Sequence, residues 1–226
     1  MSNFLSDLIP NVVPKVDELW LSVEQTFYML FVSGVIAFSL GLFFGVVLIV
    51  TRRDGILENK YVFASLSCVI NLFRSIPFVI LLAALIPFSR FVVGTAIGTV
   101  GAVVPLVVGT VPFFSRQVES ALSSVDKGLV EAAQSMGSSP LGIIFRVYLK
   151  ESISHLVRVT QITAISLIGL TAMAGAIGGG GLGDFAIRYG HQRGQTDVTY
   201  VTVLVILIMV AVIQSIGNVI IRKTTH

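Results

Sequence analysis

Residues 26–50 read TFYMLFVSGVIAFSLGLFFGVVLIV and are followed, after Thr51, by Arg52 and Arg53. Not one of these residues is charged. A helix inside a soluble domain needs a polar outer face, and this stretch has none on any side. As a helix it rises about 37 Å, more than the roughly 30 Å hydrocarbon core of a bilayer, so it spans with tilt. The same reading applies at roughly 61–86, 91–114, 159–182 and 198–221, the last ending at Arg222 and Lys223. Charged residues make up 12% of the 226-residue chain, against about a quarter in a typical globular domain. Mean hydropathy is +0.92. The fold class is therefore all-α: a polytopic membrane protein with five transmembrane helices.

Lysine and arginine give the expected orientation. With the N-terminus outside, the cytoplasmic side receives Arg52, Arg53, Lys60, Arg116, Lys127, Arg146, Lys150, Arg158, Arg222 and Lys223. The outside receives Lys15, Arg90, Arg188 and Arg193. Positive residues favour the cytoplasm, so the N-terminus is expected outside and the C-terminus in the cytoplasm. The formal net charge of +3 comes from residues that flank spans and form no nucleic-acid patch. Residues 1–19 lack the basic-then-apolar order of a cleavable leader and are expected as a short external segment before a transmembrane domain at 20–222. The single cysteine, Cys68, excludes an intrachain disulfide, and His155, His191 and His226 form no ligand set.

One long polar connection, 115–151, interrupts the apolar blocks and falls on the cytoplasmic side. Asp126 can cap a short helix through Glu131, Ala132, Ala133, Gln134 and Met136. Gly137 suits the left-handed position just past its end. Ser139 and Pro140 then read as the cap and first residue of a second helix that begins with Leu141. Leu129, Val130, Ala133 and Met136 are expected on one apolar face. Such an elbow either lies on the lipid surface or docks into a groove on a cytoplasmic partner.

Glu131-Ala132-Ala133, three residues, then Gly137 resembles the coupling motif of permease subunits of binding-protein-dependent ABC importers. FRSIPFVILLAALIPFSR at 73–90 and GAIGGGGLGDFAIRYGH at 175–191 are similar to the methionine-importer branch of that family. The family motif ends in Ile-x-Leu-Pro; the matching positions here hold Val147, Leu149 and Lys150, so without the proline the helix is expected to run unkinked into the fourth span. The resemblance implies a type I importer permease core that works as a homodimer. It pairs with two cytoplasmic ATP-binding subunits and an external substrate-binding lipoprotein, in a bacterial cell membrane (the inner one if Gram-negative). It implies methionine as cargo, D and L forms both, with ATPase coupling through helices at about 126–142 and the residues Glu131, Ala132, Ala133, Gly137, Pro140 and Leu141. ATP and Mg would be bound by the partner; no cofactor is expected in this chain. GAIGGGGLG precedes no Lys-Ser or Lys-Thr, and no G-x-x-x-x-G-K-[ST] occurs anywhere, so this chain is not the ATPase, and no catalytic constellation is recoverable.

For the translocation pathway the candidates are Arg74, Ser75, Pro77, Ser166, Thr171 and Met173. Arg74 falls deep in the expected second span, where a charge needs a cavity or a partner. It serves the carbonyls freed by Pro77, pairs with Asp184, or lines the pathway. The hydroxyls of the fourth span serve packing or a mildly polar lining, and Met173 is a flexible apolar side chain suited to a narrow gate. The glycine run permits close helix approach, unravels the helix end, or touches the binding protein. Pro105 and Pro112 are expected to bend the third span. Two other functions remain open: a permease for another amino acid or small organic solute, and an ATP-independent channel or secondary transporter. The latter requires ionisable groups at mid-membrane, and Arg74 alone qualifies.

Overall fold

A computed structural model describes residues 9–224; residues 1–8 of the expected external segment, and His226, lie outside that range. The helices are α1 (Val16–Thr51), α2 (Lys60–Ser75), α3 (Phe78–Ala84), α4 (Ile86–Val93) and α5 (Gly98–Ser123). They continue with α6 (Lys127–Ser135), α7 (Pro140–Ile143), α8 (Ile153–Ala174), α9 (Gly181–Phe185) and α10 (Thr196–Thr224). Among the described residues, four helices are long and apolar enough to cross a membrane, and the bent pair α2 and α3 makes a fifth span if counted as one. The first span starts ten residues earlier than its apolar run, at Val16, because Asp17 and Glu18 are favourable in a first turn.

The second and third spans depart most from the sequence expectation. The second is not one rod: Ile76 is extended (φ −82°, ψ 123°) and α3 turns away from α2 by 101°. Pro77 removes a backbone donor and excludes the helical region for the residue before it, and together these end α2. The third begins at Gly98, after α4 has closed on left-handed Gly94 (φ 78°). It then runs unbroken through Pro105 and Pro112 to Ser123. Each proline costs one ladder hydrogen bond, and packed neighbours inside a bundle tolerate that.

The chain forms two compact units. The first comprises the chain up to Val35, Pro77–Val107 and Ala164–Ile213. Met29, Ala102, Leu106, Leu167 and Ala174 form one apolar cluster in it. After α8 the glycines reverse the chain: Gly178, Gly180 and Gly181 all have positive φ. A Cβ on Gly183 would collide with the Ala172 carbonyl, and one on Gly175 would lie 2.6 Å from the Gly180 oxygen. The Gly181 and Leu182 N–H groups donate to Gln25 Oε1 (2.7 Å) and Thr26 Oγ1 (2.9 Å), so α1 side chains cap α9 from a distance in sequence. The run both unravels the helix and permits close approach, as the sequence suggested. Near the start of α10, Asp197 accepts from the Asn11 backbone and side chain at 2.9 and 3.0 Å, and Lys15 donates to Gln195 Oε1.

The second unit comprises Ile36–Ile76, Val108–Thr163 and the chain from Gln214 onward. Here α1 and α5 meet through glycine. A Cβ on Gly41 would lie 2.7 Å from Phe114 Cδ1, and one on Gly45 would lie 2.5 Å from Val118 Cβ. Without a hydrophobic driving force between helices in lipid, such close backbone approach supplies the packing. Phe38 and Phe114 then meet at 4.9 Å between ring centroids, tilted by 59°.

Gly45→Ile should therefore destabilise the protein by about 1–3 kcal/mol through overpacking, lowering the thermal midpoint of the detergent-solubilised chain. Gly169→Ala, where a Cβ meets nothing within 4 Å, should leave the midpoint unchanged or slightly raised.

Candidate functional site

The elbow between α5 and α8 is built as its sequence suggests at both caps. Asp126 Oδ1 accepts from the Gly128 N–H at 2.7 Å, opening α6. At the far end Ser138 N–H donates to Ala133 O (3.0 Å) and Gly137 N–H to Gln134 O (2.9 Å), with Gly137 at φ 75°. These two bonds satisfy carbonyls that a helix end leaves orphaned, in the left-handed arrangement that favours glycine. Ser139 Oγ then accepts from Gly142 N–H, and Pro140 starts α7.

The expected single apolar face is split. Val130 and Ala133 are buried, in a cluster with Val118, Leu122, Ile143 and Tyr148. Leu129 is 48% exposed and Met136 78% exposed. Positions 129 and 136 fall beside the stripe of 130 and 133, at its edge, and the packed neighbours cover only the 130 and 133 side. Leu141 (67%) and Phe145 (65%) add to the exposed apolar surface, beside the exposed Glu131 and Ala132. The elbow is thus anchored by one face while the rest of its surface is left uncovered.

The segment after α7 also departs from expectation. Residues Ile144–Tyr148 form a wide, π-type turn, and the helix breaks at Ser152 (φ −94°, ψ 6°) before α8 begins. Lys150 in place of proline keeps the turn helical, but Ser152 ends it. The buried Ser152 hydroxyl donates to Ala121 O at 3.3 Å, tying the entry of α8 to the end of α5. Sequence reasoning passed over this serine, because nothing local distinguishes it from its neighbours.

An open cleft of about 640 Å³ lies beside α6, lined by Arg52, Arg53, Lys127, Glu131, Gln134 and Tyr148 among others. Burial pushes the Tyr148 phenol up, and the positive charge of Arg52 partly opposes that shift. Arg52 and Arg53, read from sequence only as orientation signals, are therefore also neighbours of Glu131 in this cleft.

The pathway candidates are spread over both units. In the second, Arg74 is exposed in the last turn of α2. It lies at the helix end, where a cation is favourable, next to the break before α3. Ser75 Oγ donates to Leu72 O. In the first, Pro77 forms the break, Ser166 and Met173 are exposed on α8, and Thr171 is 1% exposed with its hydroxyl donating to Ile168 O. Its hydroxyl is thus satisfied within its own helix. Asp184, a candidate partner for Arg74, is ion-paired with Arg188 four residues on.

The family described as binding-protein-dependent transport system inner membrane component matches residues 37–225. The chain belongs to this family. It is a permease component of the ABC transporter kind. It is 46% identical over 93% of its length to the probable D-methionine transport system permease protein MetI of Vibrio cholerae, spanning 93% of that relative. It is also 46% identical, over 92% of its length and 94% of the relative's, to the methionine import system permease protein MetP of Bacillus subtilis. Among solved structures, an inward-facing MetNI methionine ABC transporter superimposes with a TM-score of 0.92 at 43% identity. The match covers 94% of this chain and 99% of that one. An amino acid ABC transporter with histidines shares the fold, with a TM-score of 0.77 at 18% identity over 95% of this chain and 98% of that one. The all-α, multi-pass permease fold expected from the sequence is thereby established.

Nothing lies within 4 Å of the position a Cβ would take on Gly137, so substitution there acts through backbone strain alone. Gly137→Val should cost about 1–3 kcal/mol locally and abolish transport with membrane insertion intact, whereas Gly137→Asn, tolerant of the left-handed region, should retain most of it. Uptake assays beside membrane immunoblots check both.

Proposed function

We propose that this chain is the permease of an ATP-driven methionine importer, working as a homodimer with two cytoplasmic ATP-binding subunits. The observation that carries this reading is the 46% identity to a D-methionine permease over 93% of the chain, together with the fit to an inward-facing methionine transporter. The partner subunits hold ATP and Mg, since no phosphate-binding loop occurs here. An external binding lipoprotein delivers methionine, in D and L forms, to a permease in a bacterial inner or cell membrane. The excess of lysine and arginine on one side supports an outside N-terminus and a cytoplasmic elbow.

The elbow's chemistry fits this role. Its exposed Leu129, Met136 and Leu141 are anchors of the size a groove on a partner accepts. Glu131 supplies a charge at the cleft it shares with Arg52 and Arg53, and Gly137 fixes the angle at which α6 and α7 are presented. The inner face, with Val130, Ala133 and Ile143, is packed against the ends of α1 and α5. When ATP closes the partner subunits, the elbow moves with them and carries α5 and α8 along. ATP and loaded binding protein must then both bind the outward-facing form better than the inward-facing one. Ser166 and Met173, exposed on α8, are the pathway residues this mechanism retains, with Arg74, Ser75 and Pro77 at the break after α2.

Uptake of labelled methionine by a strain lacking this gene should fall to background and return on complementation; unchanged uptake in the deletion strain rejects the cargo assignment. Met173→Cys should cross-link between the two permeases in the closed dimer and slow transport, and absence of both effects removes it as a gate.

A further inference from the structure

Two arginines that pair with no carboxylate among the described residues flank a shallow cavity between the start of α8 and the end of α10. The cavity measures about 470 Å³ and is lined by Arg158, Gln161, Asn218, Ile221 and Arg222. Its walls are held in register by two antiparallel contacts. The Ser154 and Thr224 hydroxyls share a hydrogen bond at 3.2 Å, and Gln161 Nε2 donates to Gln214 O at 2.9 Å. Gly217 makes room for this, since a Cβ there would lie 2.6 Å from Gln161 Cδ. Among the described residues the ion pairs are Arg116–Glu119 and Arg188–Asp184, so neither Arg158 nor Arg222 has a carboxylate partner among them.

The surroundings identify the anion that fits. Next to the cavity α10 exposes Ile216 (56%), Val219 (52%) and Ile220 (42%), and its apolar run stops at Arg222 and Lys223. The two guanidinium groups therefore lie where an exposed apolar surface gives way to charge. Guanidinium forks match phosphate oxygens, and their mutual repulsion is relieved by one negative charge between them. A soluble phosphate satisfies the arginines but leaves the apolar flank uncovered. A phosphodiester carrying acyl chains satisfies both, and basic pockets between membrane helices suit such headgroups. We infer that this cavity binds the headgroup of an anionic phospholipid, held by Arg158 and Arg222, with the Asn218 amide free to donate to its glycerol or phosphate oxygens.

The test uses the full chain, with its ATP-binding subunits, in phosphatidylcholine nanodiscs with and without phosphatidylglycerol. Native mass spectrometry counts retained phosphatidylglycerol, and a thermal scan reads its effect; neither requires ATP, so failure of the coupling mechanism leaves this result intact. Phosphatidylglycerol should raise the wild-type midpoint. In R158Q/R222Q, retention should fall at least about tenfold, the loss expected for charge-assisted bonds, and the rise in midpoint should vanish. Asn218→Asp, nearly isosteric and least disruptive to folding, should reduce retention in the same direction by placing a competing carboxylate in the cavity. Equal retention by wild type and all variants overturns the site. An equal rise from inorganic phosphate reassigns it to a soluble anion and overturns the lipid. Loss of the ATP-binding subunits from R158Q/R222Q in both lipid mixtures assigns the arginines to a protein contact and likewise overturns it.

Discussion

The burial of Val130, Ala133, Ile143 and Ile144 against α1 and α5 is the interaction on which a mechanical role for this chain depends. Each large apolar side chain so buried contributes about 1.5–3 kcal/mol. The Ser152 hydroxyl adds a fastening to Ala121 O at the point where the chain turns into α8. An elbow attached only by its two ends would absorb a partner's motion by bending. One packed along its whole inner face transmits it. The cost of this arrangement is visible on the rest of its surface, where Leu129, Met136, Leu141 and Phe145 are left exposed. Apolar side chains of that size left in water are a liability unless a partner covers them.

Glycine and proline carry the rest of the architecture, each by a different physical route. Pro77 breaks a helix because the residue before it cannot be helical, and α3 leaves α2 at 101°. Pro105 and Pro112 break nothing, since a proline inside a packed helix loses one bond and keeps its neighbours. Gly41 and Gly45 act through the side chain they lack, letting α5 approach α1. Gly178, Gly180 and Gly181 act through positive φ, reversing the chain after α8. That reversal is then locked by Gln25 and Thr26, which supply the acceptors α9 would otherwise lack.

The fold class was legible in the sequence because hydrocarbon imposes one rule on every residue: backbone polar groups must be satisfied within the segment. A charge-free run such as 26–50 has no other stable form in a bilayer. The elbow was legible for a second reason, that caps are local. Asp126, Gly137, Ser139 and Pro140 each act within four residues, so the sequence determined both helices and the turn between them.

Tertiary structure alone decided what depends on residues far apart in the chain. Whether Val130 or Leu129 faces inward follows from where α5 lies, which no helical period states. The cap on α9 joins residues 156 apart. Ser152 acts through a carbonyl 31 residues away. Likewise Arg158 and Arg222 read separately as orientation signals and become one feature only when α8 and α10 run antiparallel. Local chemistry is encoded at its own position; the meeting of distant groups is set by packing, which the order of residues constrains only as a whole.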